Sequence, residues 1–248
     1  MTDTVKVKDA MRSQSAMAAY RSLMYGPASM GFVMRAELIQ LCLAGMPGAA
    51  GLFLRSKLYR FMFGSISGKI VIGRNVTLRH PRKISAGSGI ILDDNSVIDA
   101  KGSDNNGIIL GDNVFIGRGS IVYCKNGDIT LGNQVSISSS CTLFSSNNLT
   151  IGDQTLIGAY SYLLSGGEYD IHSELPFVEQ DGMRTNGPLS IGRNCWLATR
   201  VTVLDAAGSI GDHCVVAAGA VVTKPLPDHS VAMGIPARIV KNLKQGNI

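Results

Sequence analysis

Aliphatic residues recur six apart, in sets of three, along most of this chain: Ala86, Leu92 and Ile98; Leu110, Ile116 and Val122; Leu131, Ile137 and Leu143; Ile151, Ile157 and Leu163; Ile191, Leu197 and Val203; Ile210, Val216 and Val222. A fixed short period marks a repeat architecture in which neighbouring units must stack to bury a common core. Four places after the aliphatics stand small or β-branched residues, among them Val114, Ser120, Val135, Cys141, Thr155, Ser161, Cys195, Val201, Cys214 and Ala220. The β-branched enrichment suits a short strand. A glycine follows the first aliphatic of five triplets (Gly111, Gly132, Gly152, Gly192, Gly211) and reads as a tight corner with unusual backbone angles. Each hexad is thus a strand and a turn, three hexads close a triangular coil of about 18 residues, and residues 70–224 read as a parallel β-helix.

The triplets start at 86, 110, 131, 151, 191 and 210, so the steps are 24, 21, 20, 40 and 19. Every excess over one coil is a loop pushed out at a corner. The step of 40 isolates one long extrusion between residues 164 and 189, reading LSGGEYDIHSELPFVEQDGMRTNGPL.

Composition agrees with a folded, turn-rich chain: 45% apolar, 17% charged and 29 glycines in 248 residues. Residues 1–69 carry nine Lys/Arg against three Asp/Glu, whereas residues 70–248 carry fourteen against fifteen. A nucleic-acid binder places its basic stripe on the folded body with aromatics to stack on bases, so nucleic acid is not an expected partner. The five cysteines show no C-x-x-C or Cys/His ligand spacing, which argues against a metal site. Three of them, Cys141, Cys195 and Cys214, fall on the small inward repeat position and read as buried free thiols, which suggests a reducing compartment. No secretory signal opens the sequence, and the body is expected in the cytoplasm.

Residues 1–63 lack hexads and read as an N-terminal helical segment, with helices at Met11 to Tyr25, Met30 to Ala44 and Ala49 to Phe63. Residues 64–248 form the second unit, the β-helix with its loop and C-terminal tail. Leu38 to Leu54 is uncharged for 17 residues but is interrupted by Pro47 and three glycines, which argues against a membrane span. Two readings stand for this segment. The helices cap the open end of the β-helix, or residues 8–63 lie peripherally on the inner membrane face, helped by Arg55, Lys57 and Arg60.

The stretches IGRNCWLATRVTVL (191–204) and IGDHCVVAAGAVVTKPLPDHSVAMGIPARIVKNL (210–243) resemble the bacterial hexapeptide-repeat acyltransferases, in particular the sugar and polysaccharide O-acetyltransferase branch. The resemblance covers about residues 64–244. It implies a left-handed β-helix ending in a short C-terminal helix, a homotrimer, acetyl-CoA as acyl donor, a sugar or glycan acceptor, and active sites in clefts between subunits. It also implies a histidine base on the long loop.

His172 is the only histidine of that loop, with Asp170 and Glu174 placed to orient its ring. The family's histidine falls nearer 168 or 169, where this chain has Glu168 and Tyr169. Three readings follow: His172 enters by a different loop route, Glu168 is the base, or activity is lost. A carboxylate in water is a weak base for a sugar hydroxyl unless burial raises it, which favours His172.

By the same resemblance Trp196, Ala198, Ala218 and Gly219 face the CoA arm, while Thr223, Lys224 and Arg238 lie near its phosphates, where cations suit anionic oxygens. His80, His213 and His229 read as structural. The turn VLDAAGSIG (203–211) runs one residue longer than the family's usual turn. A non-catalytic scaffold and an N-acetyltransferase for an amino sugar are the competing readings.

Overall fold

A computed structural model describes residues 15–180 and 184–244. Its body is a parallel β-helix of seven coils with three flat sheets, matching the left-handed β-helix expected from the resemblance. One sheet runs from Ser65–Ile66 to Ser209–Ile210, a second begins at Ile70–Ile72, and the third runs from Thr77–Arg79 to Val221–Val222. All neighbours are parallel until the last pair, Ser230–Met233 against Arg238–Asn242, which is antiparallel. The short C-terminal helix expected from the sequence is therefore replaced, within the described residues, by a returning strand. It covers the edge that the last coil would otherwise expose.

The register is the one read from the periodicity. Leu110 lies beside Leu131, Leu131 beside Ile151, Ile151 beside Ile191, and Ile191 beside Ile210. All eighteen aliphatics of the six triplets are buried, as are the ten small residues named with them. Stacked coils remove these side chains from water, and each methylene so buried contributes roughly 0.8 kcal/mol.

The glycines act differently from expectation. None of Gly111, Gly132, Gly152, Gly192 and Gly211 has a positive φ. They are required because the next coil approaches too closely for a side chain: a Cβ on Gly111 would meet the carbonyl carbon of Gly132 at 2.7 Å, and one on Gly152 the Arg193 nitrogen at 2.6 Å. The left-handed backbone falls two residues later, on Asn113, Gln134, Gln154, Asn194 and His213. Asn tolerates that region best among residues with a Cβ. Between these positions, side chains reach the neighbouring coil: the Asp212 carboxylate accepts from the Arg193 backbone N–H at 2.9 Å, and Asp153 does the same for Asn133 at 2.7 Å.

The helices are α1 (Ala16–Tyr25), α2 (Met30–Leu43) and α3 (Gly48–Leu58), the last continued by a 3₁₀ turn, Tyr59–Phe61. The expected start of the first helix, Met11 to Gln14, lies outside the described residues. Ser15 and Ser29 cap α1 and α2 through their hydroxyls, accepting from Ala18 and Phe32 amides. The helices share one hydrophobic core with the first coils through Tyr25, Phe32, Val33, Ala36, Tyr59 and Met62.

Two polar contacts fix this docking. His80 is buried with Nε2 at 3.2 Å from the Ser22 carbonyl and Nδ1 at 3.3 Å from Asp99. Arg55, expected on the surface, is instead buried and donates to the carbonyls of Leu43, Met46 and Ile72. The first two are carbonyls at and beyond the C-terminal end of α2, where a cation is favourable; the Leu43 carbonyl also accepts from the Met46 N–H at 3.2 Å.

Candidate functional site

The chain length in excess of regular coils gathers at one edge of the prism, between strands of the third sheet and the following strands of the first. The longest extrusion leaves after Tyr162–Ser165 and returns at Leu189–Ile191. Its two feet are joined by the backbone: Glu168 N–H donates to the Arg184 carbonyl at 2.9 Å, and Arg184 N–H returns to Glu168 at 3.1 Å.

Below that bridge lies Asp205, 1% exposed. Its carboxylate accepts from the Gly166 amide at 2.5 Å, from the Thr185 hydroxyl at 3.3 Å and from the Asn186 amide. One buried anion therefore holds both the outgoing and the returning strand. Asp205 sits in the 3₁₀ turn Asp205–Ala207, within the stretch 203–211 that runs one residue longer than the family's usual turn. That extra length was the only signal for it.

Farther out, Asp170 organises the loop. Arg184 Nη1 is 2.7 Å from its carboxylate, which also accepts from the His172 backbone N–H at 2.9 Å. Gln180 clasps the same segment, accepting from Asp170 N–H at 2.8 Å and donating to the carbonyls of Asp170 and Leu175. Asp170 thus orients the His172 backbone rather than its ring, and the ring has no hydrogen-bond partner among the described residues. His172, Glu168 and Glu174 are exposed. Tyr169 and Phe177 meet edge to face at 6.0 Å, while Ile171, Leu175, Phe177 and Val178 stand in solvent.

The other nominated residues are spread over four places. Trp196 is half exposed on the outer face of the second sheet, with Leu156 and Val215 beside it. Ala198, Ala218 and Gly219 line the edge between the second and third sheets, where the Ala198 amide donates to Val216 and the Gly219 amide to Thr199. Thr223 and Lys224 lie on the loop's own edge, two coils on, with Lys224 exposed. Arg238 is exposed on the final antiparallel strand. Within one chain, the loop edge and the alanine edge are separated by the width of the third sheet.

His213 and His229 stack with ring centres 4.9 Å apart, and the Asn194 amide nitrogen is 2.8 Å from His213 Nδ1. Desolvation first, then the Lys244 ammonium, holds His229 below its ordinary value. Cys124, Cys141, Cys195 and Cys214 are buried free thiols and Cys42 is exposed. Burial raises the Cys124 thiol above its usual range, which suppresses thiolate chemistry there.

Residues 188–224 match the family model described as the hexapeptide repeat of succinyl-transferase. Galactoside O-acetyltransferase of Escherichia coli strain K12 is 30% identical over 134 residues, 54% of this chain and 63% of that protein. A probable acetyltransferase of Mycobacterium tuberculosis is 30% identical over 129 residues, 52% of this chain and 42% of that protein. The chain spans about half the length of the curated relatives it matches. Among solved structures, a mutant of AntD, an N-acyltransferase from Bacillus cereus in complex with dTDP-4-amino-4,6-dideoxyglucose and coenzyme A, superposes with a TM-score of 0.55 at 17% identity. It covers 76% of this chain and 88% of that one, which establishes the shared fold. The resemblance to hexapeptide-repeat acyltransferases read from the two C-terminal stretches thus holds in both sequence and fold.

Proposed function

We propose that this protein is an acetyl-CoA-dependent O-acetyltransferase that acetylates a sugar hydroxyl in glycan or surface-polysaccharide assembly, working as a homotrimer in the cytoplasm. The observation that carries the reading is the tethered loop: a single long extrusion, clamped at both feet by buried Asp205 and bearing the loop's one histidine. A coil stack needs no such device for stability, and fixing loop geometry at the cost of burying a carboxylate is what a reaction site demands. The resemblance to a galactoside O-acetyltransferase in sequence supports the choice of acceptor class.

In this reading His172 removes the proton of the acceptor hydroxyl as its oxygen attacks the thioester carbonyl of acetyl-CoA. The tetrahedral intermediate then collapses, the C–S bond breaks, and the histidine returns the proton to the departing thiolate. Developing charge on the carbonyl oxygen needs nearby donors. The split between loop edge and alanine edge supports a site made by two subunits, with the loop of one facing Ala198, Ala218 and Gly219 of the next. Trp196 then flanks the pantetheine arm, while Thr223, Lys224 and Arg238 meet the phosphates. Such a head-to-tail interface, in which two different edges meet, closes into a ring around a threefold axis.

Thiol release from acetyl-CoA, measured over a panel of sugars and amino sugars, tests the proposal. His172→Ala is expected to lower kcat by about 10²–10⁴-fold without changing the melting temperature. Full activity of His172→Ala with loss in Glu168→Gln would transfer the role to Glu168. Failure of the parent protein to bind coenzyme A would leave the scaffold reading in its place.

A further inference from the structure

We propose that the outer face of α2 and α3 docks the protein onto an anionic lipid bilayer. α2 carries apolar side chains around its whole circumference, a composition ordinarily found in helices buried on all sides. Here only one side is buried. Phe32, Val33, Ala36 and Leu43 enter the core, whereas Met30, Met34, Leu38 and Leu41, spaced as one helical stripe, are 46%, 68%, 62% and 85% exposed. Met46 in the following turn, Leu52 and Phe53 on α3, and Phe61 in the 3₁₀ turn add further exposed apolar surface. An exposed apolar stripe such as that of α2 marks a contact site.

The charges identify what covers it. Between residues 30 and 63 the charged side chains are Arg35, Glu37, Arg55, Lys57 and Arg60. Arg55 is buried on backbone carbonyls. Glu37, the one acid, is turned toward α1, accepting from the Tyr20 and Tyr25 hydroxyls. Glu37 is half-buried, and the fully exposed charges are Arg35, Lys57 and Arg60, all cationic, with the Lys57 ammonium 5.7 Å from the Phe53 ring centre. Apolar side chains whose fully exposed charged neighbours are cations complement a bilayer with an acyl interior and anionic headgroups. No described helix is long and apolar enough to cross a membrane, so the contact is peripheral.

Co-sedimentation of the full-length protein with vesicles tests this, using phosphatidylcholine and phosphatidylglycerol in three-to-one proportion beside pure phosphatidylcholine. Binding is expected on the anionic vesicles and is expected to weaken with added salt. Lys57→Gln combined with Arg60→Gln should lower the partition coefficient about 30-fold, and Leu38→Glu combined with Leu41→Glu should abolish binding. Unchanged melting temperatures confirm that these exposed substitutions leave the fold intact. Equal sedimentation with and without vesicles, or binding indifferent to both double variants, overturns the proposal. If the Leu38/Leu41 variant instead lowers the particle mass in light scattering and leaves vesicle binding as it was, the face joins copies of the chain and the lipid proposal falls. Coenzyme A binding, followed in parallel, distinguishes failure of this face from failure of the acetyltransferase reading.

Discussion

In the coil stack every inward aliphatic of the six triplets rests on its counterpart one turn away, whereas in the described part of the 166–187 extrusion Ile171, Leu175, Phe177 and Val178 face water and polar contacts hold the chain at a few points. Leu163 lies between Leu143 and Val203 in the third sheet and is fully buried. Val178 and Ile171 in the loop are 76% and 75% exposed. Redundancy stabilises the first region, since each coil repeats the contacts of its neighbours. The second hangs on single polar contacts, so removing one loosens the loop while the coils stay folded.

That contrast is sharpest in its largest expected effect. Leu163→Ala is expected to cost about 2–5 kcal/mol through lost burial and a residual cavity, lowering Tm by about 5–15 °C. A drop of less than a few degrees would show that the stack tolerates a missing rung and would weaken the idea that its stability is purely cumulative. Asp205→Asn comes next. It keeps the shape but turns one acceptor toward an N–H as a donor, leaving a buried amide unsatisfied at a cost of about 1–3 kcal/mol. Hydrogen exchange at Gly166 and Asn186 should accelerate while the coil amides stay protected. Exchange that rises evenly over all coils would mean that the loop and the body unfold as one unit.

Arg184→Ala is expected to change Tm little, because its ion pair with Asp170 is exposed and such pairs contribute about 0–1 kcal/mol. Its effect should appear as a higher KM, through loss of loop geometry, and an unchanged KM would remove Asp170 and Arg184 from the positioning set.

The smallest effect belongs to the coil ladder itself. Backbone N–H donation, from Arg74 to Asp94 and from Arg193 to Asp212, holds both carboxylates below the usual aspartate range. A folded value below the unfolded one means that the stabilisation is present above the ordinary value of about 3.9 and is lost as pH falls through the folded value. Urea midpoints of the parent protein and Asp212→Asn should converge in that acid range and separate at neutral pH. Parallel curves would assign the shift no weight in stability.

Much of the body was legible because a hexad is a local rule. Ile137 is buried for the same reason as Ile116 and Ile157 beside it, and the coil register followed from counting. The glycines of the corners were legible in position but not in cause. Their need comes from a backbone that is distant in sequence, such as Gly132 against Gly111, and not from their own φ. Arg55 misled for a related reason: a cation near an uncharged run looks like a surface anchor until three carbonyls from separate elements converge on it. At the C-terminus the resemblance implied a helix, and pairing of Arg238–Asn242 with Ser230–Met233 gives a strand instead.

The candidate site divides along the same line. The sequence alone isolated the long extrusion and its only histidine, because departures from a strict period are visible as extra length. The charge imbalance that sets residues 1–69 apart from the body was equally visible there. Only the tertiary structure decided that Asp205, nearly forty residues beyond the loop's start, clamps both its feet, and that Asp170 spends its carboxylate on Arg184 and a backbone amide rather than on the His172 ring. Periodicity reports which residues share an environment. Which single side chain reaches an unpaired group across coils depends on distances that no period encodes.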